Sequence, residues 1–190
     1  MEYYDQIFTQ SENIIATWTN QEFEQCTFRK LDFSGTALTS SNFINCRFED
    51  CNLTRAELKN TKLYDVSFVN CKLAHVDFSH CNAFGFHADF EECQLDYTIF
   101  LNRKLRKAHF IDCSIKEAQF LKCDLTGTVF KNCNLELAKF EDANLTQVDF
   151  ATSYNLEIDP EMNKLKKARF SLHSLPGLLT KYDLVISNRA

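Results

Sequence analysis

Residues 41–58 read SNFIN CRFED CNLTR AEL, in which a Phe or Leu stands at every fifth position. The same spacing continues on both sides and restarts in a shifted register after Phe78. Internal repeats are examined first because a missed repeat leads to the wrong fold. The central residues are Phe23, Phe28, Phe33, Leu38, Phe43, Phe48, Leu53, Leu58, Leu63, Phe68, Leu73 and Phe78, then Phe90, Leu95, Phe100, Leu105, Phe110, Ile115, Phe120, Leu125, Phe130, Leu135, Phe140, Leu145 and Phe150.

A second column of mostly small side chains lies two residues before each central residue, as at Cys46, Cys51 and Ala56. The other three positions are mostly polar. A period of five fits neither a helix, at 3.6 residues, nor a strand, at 2. A chain that bends after each short extended segment points every fifth residue inward. Four such segments form a square, so the sequence predicts a solenoid in which each coil is four repeats long.

This pattern resembles the pentapeptide-repeat family, whose units run small, polar, Leu or Phe, polar, polar. The resemblance covers about residues 16–150 and implies an all-β fold, a right-handed quadrilateral β-helix. We predict one domain over residues 1–190. Its parts are an N-terminal cap at 1–17 with one short helix, repeats at 18–150 with a bulge at 79–89, an irregular last coil at 151–170, and a C-terminal helix and dimerisation tail at 171–190.

Composition excludes several classes of protein. Hydrophobic residues make up 45% of the chain, yet no run of 18 apolar residues occurs, so we expect no membrane span. The first ten residues carry Glu2 and Asp5 and do not resemble a signal peptide. The formal net charge of −5 argues against direct contact with nucleic acid. All nine cysteines fall on the small column, which predicts buried, reduced thiols and a cytoplasmic location.

The register changes between Phe78 and Phe90, where two extra residues are inserted. Gly85 can adopt a positive φ at a bulge. Phe84 and Phe86 lie on either side of it, so one of them is expected to fill the interior while the other faces solvent. The stretch is either a small structural bulge or a projecting contact loop.

Arg103 occupies a position of the small column, next to Lys104, Arg106 and Lys107. A charge is not buried without a partner, so we expect the chain to bulge outward here. The basic run is then either a solvated surface or a contact for an acidic partner.

The repeat decays after Phe150 and returns at Leu165. Beyond it, Ser174 and Pro176 suit the start of a helix, and residues 184–186 have the apolar character of a strand. We expect the tail to form a two-fold dimer interface through Leu175, Leu178, Leu179, Tyr182, Leu184 and Ile186.

Within the family, the chain resembles the Qnr and MfpA group of quinolone-resistance proteins. The features that carry this resemblance are Asn82-Ala83-Phe84-Gly85-Phe86 at the register change, the irregular coil after Phe100, and Asp159-Pro160 before a last repeat and a Leu-Leu helix. The resemblance implies a cytoplasmic homodimer that mimics DNA and binds DNA gyrase or topoisomerase IV. The alternative is a structural scaffold that binds another protein.

The candidate contact residues follow from this hypothesis. Carboxylates that could replace phosphates are Glu91, Glu92, Asp96, Asp112, Glu141 and Asp142, and the candidate secondary contacts are Phe84, Phe86, Arg103, Lys104, Arg106 and Lys107. All of the net negative charge, however, lies in residues 1–89, and residues 90–190 have no net charge.

A catalytic or metal site at His75, Asp77, His80 and His87 is a third class of function. A convex solenoid filled with Phe and Leu leaves no substrate pocket, and the histidines do not cluster with cysteines at zinc-site spacing. We therefore predict no catalytic activity, no metal and no cofactor.

Overall fold

The computed structural model of the chain describes residues 1–10 and 18–187. In this part of the chain, short parallel strands and isolated parallel bridges alternate with turns. The strands are β1 Glu2–Tyr4, β2 Ile7–Phe8, β3 Glu22–Glu24, β4 Thr27–Arg29, β5 Asn42–Ile44, β6 Arg47–Glu49, β7 Lys62–Tyr64, β8 Val66–Val69, β9 Ala88–Glu91, β10 His109–Ile111, β11 Gln119–Leu121, β12 Val129–Lys131 and β13 Lys139–Glu141.

Each strand pairs with its equivalent one coil away, as Phe28 does with Phe48 and Phe48 with Phe68. Four flat faces result. The first carries the central residues Phe23 and Phe43, the second Phe28 and Phe48, and the third and fourth begin at Phe33 and Leu38. The sheets are β1-β3-β5-β7 on the first face, β2-β4-β6-β8-β9-β10-β12 on the second and β11-β13 on the fourth. The predicted all-β quadrilateral β-helix is confirmed.

The corners explain the period of five. The residue two positions after the central one adopts a left-handed conformation, with φ of 55° at Gln25 and 56° at Lys30. That conformation turns the chain toward the next face. It disfavours most side chains but is accessible to Asn and Asp, which occur at Asn45, Asp50 and Asn70.

Aromatic rings stack along the axis of the rod. On the second face the ring centroids of Phe48 lie 4.5 Å from Phe28 and 5.0 Å from Phe68. Rings on opposite faces meet edge to face across the interior, as Phe110 and Phe120 do at 6.0 Å. Both arrangements are favourable for aromatic pairs. Trp18 is partly buried and packs against Phe33, with ring centroids 4.8 Å apart.

The small column hydrogen-bonds the backbone from inside. The Thr61 hydroxyl donates to the Leu38 carbonyl at 2.8 Å, and the Cys51 thiol donates to the Phe28 carbonyl at 3.3 Å. All nine cysteines are free and buried, as their column position predicted. Five of them, Cys51, Cys71, Cys93, Cys113 and Cys133, fall at the same position of successive coils on the third face.

The coil at the register change is longer than a regular coil. Val66 pairs with Ala88 and Phe68 with Phe90, so the two extra residues lie in the loop that precedes β9. The 3-10 helix Phe78–His80 leads into that loop.

The two ends differ from the prediction. The strands β1 and β2 already pair with β3 and β4, so residues 2–8 are a coil of the solenoid and not a cap. Residues 1–10 contain no helix; residues 11–17, the rest of the predicted cap, lie outside the described part of the chain. At positions 155 and 160 of the repeat, where Asn155 and Pro160 stand, the interior is filled instead by Leu156 and Ile158.

The C-terminal helix is present as two 3-10 segments, Leu175–Leu178 and Thr180–Tyr182. The strand expected at 184–186 is absent from the described residues, because this segment extends past the last coil and has no neighbouring strand to pair with. Ser174 does occupy the N-cap position, but its hydroxyl bonds the Ser171 carbonyl rather than a helical N–H.

Candidate protein-binding surface

The second face carries a group of carboxylates on three coils, those of β6, β9 and β10. Strand β9 supplies Asp89 and Glu91, and the corners that follow β9 and β10 supply Glu92 and Asp112. We call this group, together with Glu49 and Asp50 at the end of β6, the acidic patch. Its members lie one above another because equivalent positions repeat with each coil, about 4.8 Å apart.

Backbone conformation and short hydrogen bonds fix the patch. Glu92 and Asp112 both adopt φ of about 54°, which directs them from the same corner. Asn70 donates to the Asp50 carboxylate at 2.7 Å, and Asn132 donates to Asp112 at 3.0 Å. These amides orient the carboxylates without neutralising them.

Only part of the patch is neutralised by cations. Glu49 accepts from Arg29 at 2.7 Å and from Arg47 at 2.6 Å, and the two guanidiniums hold its pKa below the usual range. Asp89 accepts from the backbone N–H of His109 at 2.7 Å. Asp50, Glu91, Glu92 and Asp112 are exposed and form no ion pair within the described residues.

The other predicted carboxylates lie elsewhere. Asp96 is on the third face, where it accepts from the Ser114 hydroxyl at 2.7 Å and the Lys116 N–H at 2.9 Å. Glu141 and Asp142 are exposed on the fourth face. Glu49, Asp50 and Asp89 were not among the predicted contacts; Glu49 and Asp50 align with Glu91 and Glu92 only when the two inserted residues are counted.

The register-change loop exposes one aromatic ring and buries the other, as predicted. Phe84 is 81% exposed, whereas Phe86 is 6% exposed and meets Phe78 edge to face. Gly85 has φ of +69°, and a Cβ there would lie 2.7 Å from the Tyr64 ring. The loop is therefore packed closely against β7.

The prediction that the chain bulges outward at Arg103 is wrong. Arg103 is 8% exposed and its guanidinium points inward. It donates to the Cys81 and Ser79 carbonyls, both at 2.9 Å, and lies over the Phe86 ring. The partners that make burial possible are therefore main-chain oxygens of the preceding coil.

Those oxygens need a donor because of the inserted residues. In the regular coil before, the Lys59 and Thr61 carbonyls accept from the backbone N–H groups of Ser40 and Asn82. At the register change, the Asn60 N–H bonds the His80 carbonyl instead of that of Ser79. The bulge and Arg103, which the sequence presented as two anomalies, are thus one structural feature. Lys104, Arg106 and Lys107 remain exposed around it.

The C-terminal tail exposes apolar side chains at the end of the rod. Leu175, Leu179, Tyr182, Leu184 and Ile186 are each between 37% and 57% exposed, whereas Leu178 packs against the core. Leu172 and Val185, at 84% and 99%, extend this apolar surface and were missed.

Polar contacts hold one side of the tail to the last coil. Lys181 bridges Asp159 at 2.9 Å and Glu161 at 2.6 Å, and the Tyr182 hydroxyl donates to Glu161 at 2.8 Å.

No three His, Cys, Asp or Glu side chains in residues 1–10 and 18–187 are placed to share a metal ion. His75 stacks on Tyr97 with ring centroids 4.7 Å apart, and His80 lies 3.4 Å from Asp77. Within the same residues, no helix has the length and apolar character to span a bilayer.

Comparison with known proteins defines the class. The pentapeptide repeat region model matches residues 16–100 and 98–175. The chain therefore belongs to the pentapeptide-repeat family.

Among solved structures, two trypsin-treated variants of QnrB1, a plasmid-mediated fluoroquinolone resistance protein, are similar to this chain. They are 19% and 18% identical, with TM-scores of 0.63 and 0.65, and each match covers 98% of both chains. At this identity the likeness concerns the fold. A search of curated proteins finds no match.

Proposed function

We propose that this chain is a non-enzymatic binder of a type II topoisomerase, DNA gyrase or topoisomerase IV, in the cytoplasm. In this proposal it mimics DNA and protects the enzyme from quinolone-like inhibitors. The observation that carries the proposal is the acidic patch, whose exposed carboxylates repeat along a rod with the fold of QnrB1.

The physical route is competition for a cationic surface that normally holds DNA. Rows of carboxylates can take the place of phosphates and steer association through long-range attraction. Asp50, Glu92 and Asp112 occupy one corner of the rod, with Asn70 between the first two, and so form such a row. A stiff solenoid also loses little conformational entropy on binding, which favours affinity from modest contacts.

The apolar tail serves a homodimer. Leu175, Leu179, Tyr182, Leu184 and Ile186, with Leu178 beneath them, meet the same residues of a second copy about a two-fold axis. Covering Leu172 and Val185 in the same interface removes the most exposed aliphatic side chains from water. A full-length chain that sediments as a monomer at micromolar concentration contradicts the dimer.

The register-change loop and the basic run provide secondary contacts. Phe84 offers an exposed ring on a loop that Phe86 and Arg103 hold in place, and Lys104, Arg106 and Lys107 lie one coil further on. Phe86 and Arg103 act only as supports, because both are buried.

Supercoiling by purified gyrase, measured with and without a fluoroquinolone, tests the proposal. The chain should inhibit supercoiling or reduce drug-induced DNA cleavage at micromolar dimer, and more weakly as salt rises. Reversal of three patch charges, Glu91→Lys, Glu92→Lys and Asp112→Lys, should abolish the effect. The matched control carries Glu2→Lys, Glu24→Lys and Glu57→Lys, which are exposed and outside the patch.

The pattern of loss identifies the contact surface. If the control triple loses as much activity as the patch triple, net charge rather than the acidic patch is responsible. If activity is lost only in a variant with Asp96→Lys, Glu141→Lys and Asp142→Lys, the contact lies on the third and fourth faces instead. If the wild-type chain affects neither gyrase nor topoisomerase IV, the scaffold alternative replaces this proposal.

A further inference from the structure

The C-terminal half of the first face carries cations in two separate rows. The corner after Leu105 presents Arg106 and Lys107, with Lys104 on the strand before it. Three coils later, Lys164, Lys166 and Lys167 occupy the equivalent positions around Leu165. All six side chains are exposed.

The coil ladder fixes the register of the two rows. Lys104 bridges to Asp124, Asp124 to Asn144 and Asn144 to Lys164. In the parallel column, the N–H groups of Lys107, Gly127 and Gln147 donate to the carbonyls of Thr126, Thr146 and Lys166. Three coil rises of about 4.8 Å separate the rows by about 14 Å.

The side chains between the two rows are short and polar, and all but one of them are uncharged. The residues there are Thr126, Gly127, Asn144, Thr146 and Gln147, together with one acid, Asp124. That acid is paired with Arg106, and within the described residues the five lysines of the two rows form no ion pair. Five uncompensated lysines therefore lie on one flat face of a protein whose net charge is −5.

We propose that these two cationic rows bind the phosphate backbone of double-stranded DNA. The composition favours nucleic acid over protein, because Lys, Arg, Thr, Asn and Gln are the residue types that contact phosphates. Protein interfaces need buried aromatic or apolar anchors, and this area has none among its exposed residues.

The separation of the rows favours a duplex. The grooves of B-form DNA are about 6 and 12 Å wide between the backbones, so rows about 14 Å apart reach one strand each with extended lysines. A flat strand face cannot enter a groove, and the binding is therefore independent of base sequence.

DNA binding by this surface would be an activity additional to the proposed function, and it does not depend on that function. The acidic patch lies on the second face and the cationic rows on the C-terminal half of the first, so the rod has two local charged areas of opposite sign. The overall charge predicted no contact with nucleic acid; the structure segregates the charges, and a local face can bind what the whole molecule repels.

Fluorescence anisotropy with a short labelled DNA duplex at low salt tests the inference. We expect dissociation constants of about 10⁻⁴ to 10⁻⁶ M and a steep loss of affinity with salt, as phosphate contacts require. The variant Lys104→Glu, Lys164→Glu, Lys166→Glu should bind at least about tenfold more weakly, with a salt slope reduced by about one for each cation lost.

A matched control carries Lys59→Glu, Lys72→Glu and Lys139→Glu, exposed lysines of the third and fourth faces, and has the same net charge. Retained binding in this control supports the two rows, and equal loss overturns them. Absence of binding by the wild type, or competition by polyglutamate as strong as that by duplex, also overturns the inference. Equal affinity for single-stranded DNA contradicts the two-strand geometry.

Discussion

A regular coil and the coil at the register change meet the same requirement with side chains of very different size. At Thr61 a short hydroxyl satisfies the carbonyl of Leu38. Arg103 lies two coils further along the same column. Its guanidinium spans the interior to reach the carbonyls of Ser79 and Cys81. The comparison teaches that the small column can satisfy backbone carbonyls with donors of very different length, although other members of the column, such as Ala56 and Val76, carry no donor.

The two regions also differ in how they pack aromatic rings. Phe48 is enclosed between Phe28 and Phe68, whereas Phe86 meets one ring by its edge and a cation by its face. In the stacked column, the neighbouring rings are held by the coils above and below and cannot move into the space that a removed ring would leave. The loop, held by one side only, can relax.

The largest expected effect is therefore in the regular coil. Phe48→Ala should lower the free energy of unfolding by about 3–5 kcal/mol, because the rigid stack keeps the cavity open. Phe86→Ala should lie at the lower end of that range or below it. Urea unfolding of both variants measures the difference, and a greater cost at Phe86 would reverse the comparison.

Arg103 gives the next largest effect. Arg103→Met keeps the length of the side chain but leaves two carbonyls without a donor, which should cost about 2–4 kcal/mol. The same urea titration measures it.

A compensating variant makes this prediction sharper. Deletion of Ala83 and Phe86 shortens the coil to the length of its regular neighbours and brings Phe84 to the central position. In that background, Arg103→Thr restores the short donor that Thr61 represents and should recover most of the lost stability. If Arg103→Thr is no better tolerated there than in the full-length loop, the guanidinium does not compensate for the insertion.

The sequence predicted those features that depend on residues close together in the chain, and it did not predict those that depend on residues one coil away. The five-residue period is local, so Phe48 and its neighbours were placed correctly. Arg103 depends on carbonyls that an insertion frees one coil earlier, and no local pattern contains that information. The acidic patch was only partly recovered for the same reason, since Asp50 and Glu92 align only when the insertion is counted.

The ends of the rod were the least predictable. Residues 2–8 lack the full repeat yet join the sheet, because β3 and β4 offer free edges for pairing. Residues 184–186 have strand-like composition yet find no neighbour. Composition alone cannot distinguish these cases, since the available edge decides both.

The thiols give a pH-dependent contrast of intermediate size. Burial raises the pKa of Cys46 from 9.0 to about 12. Burial raises the pKa of Cys81 to a similar value, although the charge of Arg103 acts in the opposite direction. A raised folded-state pKa gives stability that is complete below pH 9 and is lost as the pH rises toward 12, because only the unfolded chain ionises there.

Removal of one thiol should therefore flatten the alkaline side of the stability profile. Cys46→Ala should reduce the slope by up to about 1.4 kcal/mol per pH unit between pH 9 and 12. Cys81→Ala should reduce the slope in the same way. The reduction should be greater in the Arg103→Met background, because the charge of Arg103 lowers the pKa of Cys81. Unfolding curves at several pH values measure the slopes; identical profiles for wild type and Cys46→Ala would mean that the thiol ionises freely in the folded protein.

The smallest effect is expected at the tip of the loop. Phe84 is 81% exposed, and the loop is held by Phe86, by Arg103 and by the bond from the Phe84 N–H to Asn82 at 2.9 Å. Phe84→Ser removes none of these, so the free energy of unfolding should change by less than about 0.5 kcal/mol. Asn82→Ala is the control, because it removes the acceptor and should loosen the loop toward protease. A cost above about 1 kcal/mol for Phe84→Ser would show that the ring packs against the solenoid in solution, and the loop would then be part of the core rather than an exposed contact.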